Sequence, residues 1–285
     1  MNFIDKYAPY LFPLPAVLAI VVLILGPMLA NVVLSSYDWF VGGRPLFVGL
    51  ENYQQALNDR RFWNGLRNTF YFTALAVPLQ LVLGLAIAVL FNRNFPGRGL
   101  VRTVMLLPMV ATPVAIALIW ALMFNPSLGV LNYFLESLGL PRLLWVAQSN
   151  LAIPSLVLVD VWQWTPMVAL ILLAALQGVP QEHYEAARID GANGWQAFVN
   201  VTLPGIRAAI VVALILRTVD ALKTFDIIWV ITEGGPGTAS ETLNVFAYTT
   251  GFVFMHAGYA ATLLIFLMVV VLTIAIFLNL LRRSQ

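Results

Sequence analysis

Four ionisable residues fall in one apolar stretch: Arg217, Asp220, Lys223 and Asp226 alternate in sign at spacings of three, within about residues 206–231. On a helix, side chains three apart are neighbours, so each can pair with the next. A charge at bilayer depth costs at least about 2.5–3.5 kcal/mol on insertion scales and marks a solute or ion path by default. At about 3.6 residues per turn, Arg217, Asp220 and Thr224 share a face while Asp226 points the other way. The first three are therefore expected to face a pathway, with Asp226 structural. Equally open is a ladder that cancels its own charge and only fixes helix packing.

A second polar stripe, Asp160, Gln163, Trp164 and Met167, occupies relative positions 0, 3, 4 and 7 of another apolar segment. It offers hydrogen-bonding groups for hydroxyls and an aromatic face for the apolar side of a ring, the combination a sugar needs. Two alternatives stand beside this. Trp162 and Trp164 suit an interfacial belt, and Asp160 could serve as the counter-ion of Arg217.

The third constellation is polar and lies between two apolar segments. Pro180 suits the first turn of a helix, Glu182 sits near its positive end, and Glu185 and Arg188 are three apart on one face. Tyr184, Ala187 and Ile189 add a small apolar surface. Gly191 permits a bend, and Asp190 is the expected N-cap of a second helix carrying Trp195 and Phe198. A bent amphipathic helix of this kind suits either a partner's groove or a lipid interface.

Catalytic chemistry finds little support. His183 and His256 fall in different loops on opposite expected sides, and neither begins His-Glu-x-x-His. There is no cysteine, hence no disulfide, thiolate nucleophile or thiolate metal ligand. Nor is there a Gly-x-x-x-x-Gly-Lys-Ser/Thr phosphate loop. The basic residues are scattered beside apolar segments, a poor footprint for nucleic acid.

The elements that must position these residues are membrane spans. The chain has 285 residues, 61% hydrophobic and 10% charged, against roughly 25% charged in a soluble domain. A transmembrane helix needs about 20 apolar residues, and the sequence accommodates about six, near residues 11–34, 69–91, 103–124, 153–176, 206–231 and 259–281. No separate soluble domain is expected. The first run is too long for a secretory h-region of about 7–15 residues and is expected to remain as a span kinked at Gly26-Pro27. Pro108 and Pro113 break the third, leaving carbonyls that neighbouring helices or a water-filled cavity must satisfy. Residues 35–68 and 125–150 are expected as loops, and Glu233-Gly234-Gly235-Pro236-Gly237 as a turn.

Short-loop Lys and Arg residues favour the cytoplasmic side. With both termini cytoplasmic, the inside holds Lys6, Arg93, Arg98, Arg102, Arg188, Arg207, Arg282 and Arg283, and the outside Arg44, Arg60, Arg61, Arg67 and Arg142. That places residues 177–204 inside.

Glu185-Ala186-Ala187, Asp190-Gly191-Ala192, Phe198 and Thr202-Leu203-Pro204 resemble the EAA loop of permease subunits in bacterial binding-protein-dependent ABC importers. The resemblance extends over essentially the whole chain. Phe225-Asp226, Thr232 and Gly234-Gly235-Pro236 further resemble the carbohydrate-uptake branch, of the maltose and glycerol-phosphate permease kind. It implies an all-α polytopic protein of type I ABC importer architecture, in a bacterial or archaeal cytoplasmic membrane. Tyr184, Glu185, Ala186, Ala187, Arg188, Asp190, Gly191 and Ala192 would belong to a coupling helix seated in a cleft of a separate ATPase subunit, Glu185 lying near a basic residue there.

The resemblance also implies partners: two ATPase subunits that bind the ATP, a second and similar permease subunit in a heterodimer, and an extracytoplasmic solute-binding protein. The chain itself would hold no cofactor. In maltose-type permeases the matching parts of the fourth and fifth spans contribute solute contacts, which maps to Asp160, Gln163, Trp164, Arg217, Asp220 and Thr224. A neutral sugar or polyol suits a charge-balanced fifth span. An anion such as a glycerol phosphate would suit an unpaired Arg217 or Lys223 better.

Overall fold

The computed structural model describes residues 12–283. Lys6 and the expected start of the first span at Leu11 lie outside them. Among the described residues, four helices are long and apolar enough to cross a membrane, and six spans result if each of two bent helix pairs is one. The chain divides into two compact units, residues 1–62 with 246–268, and residues 63–245 with 269–285.

In the first unit, α1 (Leu14–Leu34) exposes its apolar side chains along its whole length. The irregularity expected at Gly26-Pro27 takes the form of a π turn over Val21–Leu25, closed by the Gly26 N–H on the Val21 carbonyl, because Pro27 has no N–H to continue the regular ladder. Residues 35–68, expected as a loop, hold a short hairpin. Its strands β1 (Tyr37–Asp38) and β2 (Leu46–Phe47) pair antiparallel with Tyr37 opposite Phe47. Helix α2 (Glu51–Asn58) follows. Buried Asn52 ties these pieces together, its Nδ2 donating to the carbonyls of Ser35 and Tyr37, both at 2.9 Å. Asp38 meets His256 Nε2 at 2.8 Å, and Phe40 stacks on that imidazole.

Helix α3 (Arg60–Asn92) begins well before the expected residue 69, because Asp59 caps it, accepting the Arg61 N–H at 2.7 Å. In the second unit it packs on the central helix α7 (Ser149–Gln177), most of which is buried. At their crossing a Cβ on Gly84 would stand 2.6 Å from Val168 Cγ1, the close approach small residues give membrane helices. The expected third span is two helices, α4 (Arg98–Val110) and α5 (Pro113–Met123), bent by 97°. Pro113 forces its predecessor Thr112 into an extended conformation, φ −65° and ψ 142°. Between α5 and α7 lies α6 (Val130–Ser137), where a loop is expected.

Two short helices, α8 (Gln181–Ile189) and α9 (Gly194–Gly205), precede the fifth span. That span is itself divided into α10 (Arg207–Leu222) and α11 (Asp226–Thr232). The end of α10 tightens, the N–H of Lys223 bonding to the Asp220 carbonyl and that of Thr224 to Ala221. The chain then turns at Glu233 and Gly234, both at positive φ. Helices α12 (Leu243–Tyr248) and α13 (Ala257–Arg283) complete the described chain. The core of the second unit joins Phe72 and Ala76 of α3, Ile116 and Trp120 of α5, Leu156 and Val159 of α7 and Ile228 of α11.

Candidate functional site

The polar residues of α7 and α10 meet where those helices pack on α3. Arg217 and Asp160 are each 1% exposed, and Gln80 from α3 is 0% exposed. Arg217 Nη2 donates to Asp160 Oδ2 at 3.0 Å, and its Nε donates to Gln80 Oε1 at 2.8 Å. The Gln80 amide closes the ring, Nε2 donating to Asp160 Oδ2 at 2.7 Å and to the Asp160 carbonyl at 3.1 Å. A carboxylate and a guanidinium are thereby neutralised inside the protein, with a two-sided amide aligning both. Such burial is tolerable only with this degree of satisfaction.

In front of the ring lies a cavity of about 300 Å³ whose wall includes Asp160, Trp164, Arg217, Asp220, Lys223, Thr224 and Asp226. Trp164 turns its ring to the Arg217 guanidinium, 5.3 Å from the centroid, a cation–π contact. Asp220 is half-exposed and stands 3.8 Å from both Arg217 Nη1 and Lys223 Nζ. Both contacts are beyond hydrogen-bonding distance, and the one to Lys223 joins two exposed groups and holds little energy, so Asp220 is available to another donor.

Two expectations change here. Arg217 faces Asp160 and Gln80 at the back of the cavity and not open space. Asp226, expected on the opposite side, lines the same cavity, because the chain leaves the helix between Lys223 and Phe225 and the helical register restarts at α11. Gln163 is fully buried and absent from the cavity wall, and neither its Oε1 nor its Nε2 has a partner among the described residues. Met167 is half-buried. The alternative of Asp160 as counter-ion is the one the geometry adopts. Gln80, the third member of the ring, was not among the sequence candidates. The signal that could have found it is a lone amide in the apolar run 69–91.

The second site is the polar segment after α7. No residue of α8 is buried. The helix ends in a Schellman turn: the Ala192 N–H reaches the Ala187 carbonyl at 2.9 Å, the Gly191 N–H reaches that of Arg188 at 3.1 Å, and Gly191 has φ +79°. Asp190 is thus the C-cap of α8 and not the N-cap of its successor. That role falls to Asn193, whose side chain and that of Gln196 form a reciprocal capping box on α9.

Tyr184 hydroxyl meets Thr202 Oγ1 at 3.1 Å and ties α8 to α9, whose Trp195 and Phe198 stack. Behind the bend is a concavity of about 580 Å³ lined by His183, Ala186, Ala187, Asp190 and Ala192 of this segment, among others. Glu185 and Arg188 are exposed and form no ion pair with each other or with any other described residue. Ile189 and Trp195 are 87% and 72% exposed. A rigid bend therefore presents unpaired charge and bare apolar surface together.

Comparison with known proteins agrees with this arrangement. Residues 80–285 match the family described as "Binding-protein-dependent transport system inner membrane component". The trehalose/maltose transport system permease protein MalF of Thermococcus litoralis is 40% identical over 241 residues, covering 84% of this chain and 81% of that protein. The sulfoquinovosyl glycerol transport system permease protein SmoG of Agrobacterium fabrum is 35% identical over 285 residues, covering 99% and 92%. Among solved structures, a chain of a bacterial ABC transporter involved in the import of the acidic polysaccharide alginate aligns at a TM-score of 0.87 and 24% identity, over 99% of this chain and 97% of that one. At that identity the likeness speaks for the fold alone. Helical content, divided spans and the exposed bent segment between α7 and α10 have one common explanation: the chain belongs to the family of binding-protein-dependent ABC transport permeases, components of the inner membrane.

Proposed function

We propose that the chain forms half of the translocation pathway of an ABC importer for a neutral sugar or polyol and is driven through α8 and its bend by a separate ATPase. The observation that carries the coupling role is the combination, on one rigid exposed bend, of an unpaired Glu185 with bare Ile189 and Trp195. A side chain held in that state awaits a protein surface of opposite charge. The segment lies on the cytoplasmic side with both termini in this reading. A second permease subunit completes the pathway, and a solute-binding protein delivers the solute from outside. A solved relative of the same fold is described in complex with an alginate pentasaccharide-bound periplasmic protein, which supports that last partner.

The charge inventory of the cavity supports a neutral solute. With the Arg217 charge balanced by Asp160, the wall offers Lys223 against Asp220 and Asp226, which repels an anion. Trp164, Asp220 and Thr224 are the proposed solute contacts, with Asp226 and Lys223 beside them. Asp160 and Arg217 hold the wall from behind, and Gln163 is left out. Relatives named for trehalose/maltose and for sulfoquinovosyl glycerol support a carbohydrate.

Uptake of labelled solute by cells or vesicles carrying the assembled transporter, competed with sugars, polyols and phosphodiesters, tests the solute class. Competition by sugars or polyols is expected, and inhibition by anionic compounds alone rejects the neutral class. Glu185→Lys tests the coupling: it should leave the protein in the membrane and abolish uptake. Wild-type uptake with assembly confirmed by pull-down would contradict the docking role.

A further inference from the structure

Helix α6 carries its apolar residues on the outside. Val130, Phe134 and Leu138 follow one another at four-residue steps along one face with Tyr133 beside them, and all four are exposed, Leu138 by 75% and Tyr133 by 69%. The bare surface continues on either side through Leu128, at 91%, and Leu140. It also runs on from Leu118 and Leu122, exposed along α5 just before the loop begins.

The face is held outward by construction. Asn132, buried on the opposite side, donates from Nδ2 to the carbonyls of Pro126 and Leu143, both at 3.0 Å, and its Oδ1 accepts from the Leu143 N–H and from Trp145 Nε1. Asn125 Oδ1 accepts the N–H groups of Ser127 and Leu128 in the turn before the helix. A Cβ on Gly129 would come within 2.4 Å of the Met123 and Asn125 carbonyls, so the turn is packed against the end of α5. A loop free to choose would fold this face inward, yet six hydrogen bonds from two asparagines fix it outward.

Charge decides what covers it. The stretch 124–150 contains two charged residues, Glu136 and Arg142, and they are spent on each other in a two-pronged ion pair. A surface that recognises a soluble protein keeps a polar rim with charges to steer and register its partner. Here the two charges of the stretch are already paired with each other. What this surface does offer is an amphipathic helix between two spans, with Tyr133, 69% exposed, in a position aromatic residues take at a membrane–water boundary. We propose that α6 lies in the surface of the bilayer, with Val130, Tyr133, Phe134 and Leu138 inserted at the headgroup–acyl boundary, and so anchors the mouth between α5 and α7 to the lipid.

The chain has no cysteine, so Val130→Cys, Leu131→Cys, Tyr133→Cys, Phe134→Cys, Leu135→Cys and Leu138→Cys can each carry one spin label in the assembled transporter in liposomes. The wild-type assembly, labelled identically, gives the background from cysteines on other subunits, and co-purification of those subunits reports an intact fold. Collision with oxygen, which concentrates in lipid, is compared with collision with a water-soluble nickel chelate. At 130, 133, 134 and 138 the oxygen rate should exceed the nickel rate, and at the half-buried 131 and 135 both should fall. Nickel rates above oxygen rates at 134 and 138 would overturn the proposal in favour of a water-exposed helix. Low rates of both there would overturn it in favour of a second subunit. So would a fall in the oxygen rate on adding solute-loaded binding protein, which would make that protein the occupant.

Discussion

Removing one partner from the ring of Gln80, Asp160 and Arg217 should destabilise the protein far more than removing the ion pair as a whole. Asp160→Leu strands a guanidinium that is 1% exposed, and breaking a buried pair in this way costs about 3–5 kcal/mol. Arg217→Leu strands the carboxylate at similar cost. The double variant strands neither, and replacing buried pairs by apolar residues of similar volume has ranged from neutral to about 1–4 kcal/mol stabilising. It should therefore recover most of the loss, although Gln80 keeps only its bond to the residue-160 carbonyl and is left with two hydrogen bonds unmade. That residue limits the recovery by about 1–3 kcal/mol, the desolvation cost of an unsatisfied buried polar group.

Neutral hydrogen bonds between membrane helices average only about 0.6 kcal/mol, because the unfolded chain in lipid finds other partners. A stranded charge finds no such relief, so the ranking survives even where the magnitudes shrink. The measurement is retention of the monodisperse elution peak in detergent after a series of heating steps, for the wild type, both single variants and the double variant. The expected order is wild type, then double, then the two singles. If either single variant survives heating as well as the wild type, or if the double is worse than both, the ring does not hold the wall of the cavity as argued.

Gly191→Ala places a side chain at φ +79°, a left-handed conformation costing a residue with a Cβ about 1–2 kcal/mol; uptake should fall while membrane levels hold, in contrast to an unaffected Gly99→Ala, which meets open space. Asn193→Ala removes the capping box of α9 and should cost about 1 kcal/mol of local stability, read as faster amide exchange at Gln196. Gly84→Val should block assembly, since its first side-chain carbon would stand 2.6 Å from Val168; normal yield of folded protein would refute the close crossing of α3 and α7. The Arg142 guanidinium holds the Glu136 carboxyl below its ordinary value of 4.5, so the pair persists above that value and is lost only as pH falls through the lowered one. Titration of a ¹³C-labelled Glu136 carboxyl should show that low midpoint, and Arg142→Ala should raise it.

What could be read in advance from the sequence, and what could not, follows the range of the interactions. The bend between α8 and α9 is built from neighbours, and most of its features are legible. Even the misassigned cap had a local answer: a glycine after a helical run is a C-terminal signal, and Asn193 with Gln196 three residues on is the capping-box spacing. Together they make Asp190 an end and Asn193 a beginning.

The fifth span failed for a different reason. A helical wheel assumes one unbroken helix, and the chain departs from it between Lys223 and Phe225, so residues past that point turn about a different axis. Asp226 came back to the cavity through that break.

Gln80 is further removed still. Its partners Asp160 and Arg217 lie 80 and 137 residues away, and no periodicity within its own helix connects them. A buried charge in a span nevertheless implies such a group, because the donors and acceptors left over by an ion pair must be satisfied by something. Arg217 has more N–H groups than Asp160 can accept, so a further, neutral acceptor was required nearby. A hydroxyl could also accept, but the longer glutamine side chain reaches farther and brings two N–H donors besides its carbonyl. Counting hydrogen bonds at Arg217 therefore narrows the search in a way that reading hydrophobicity along α3 cannot.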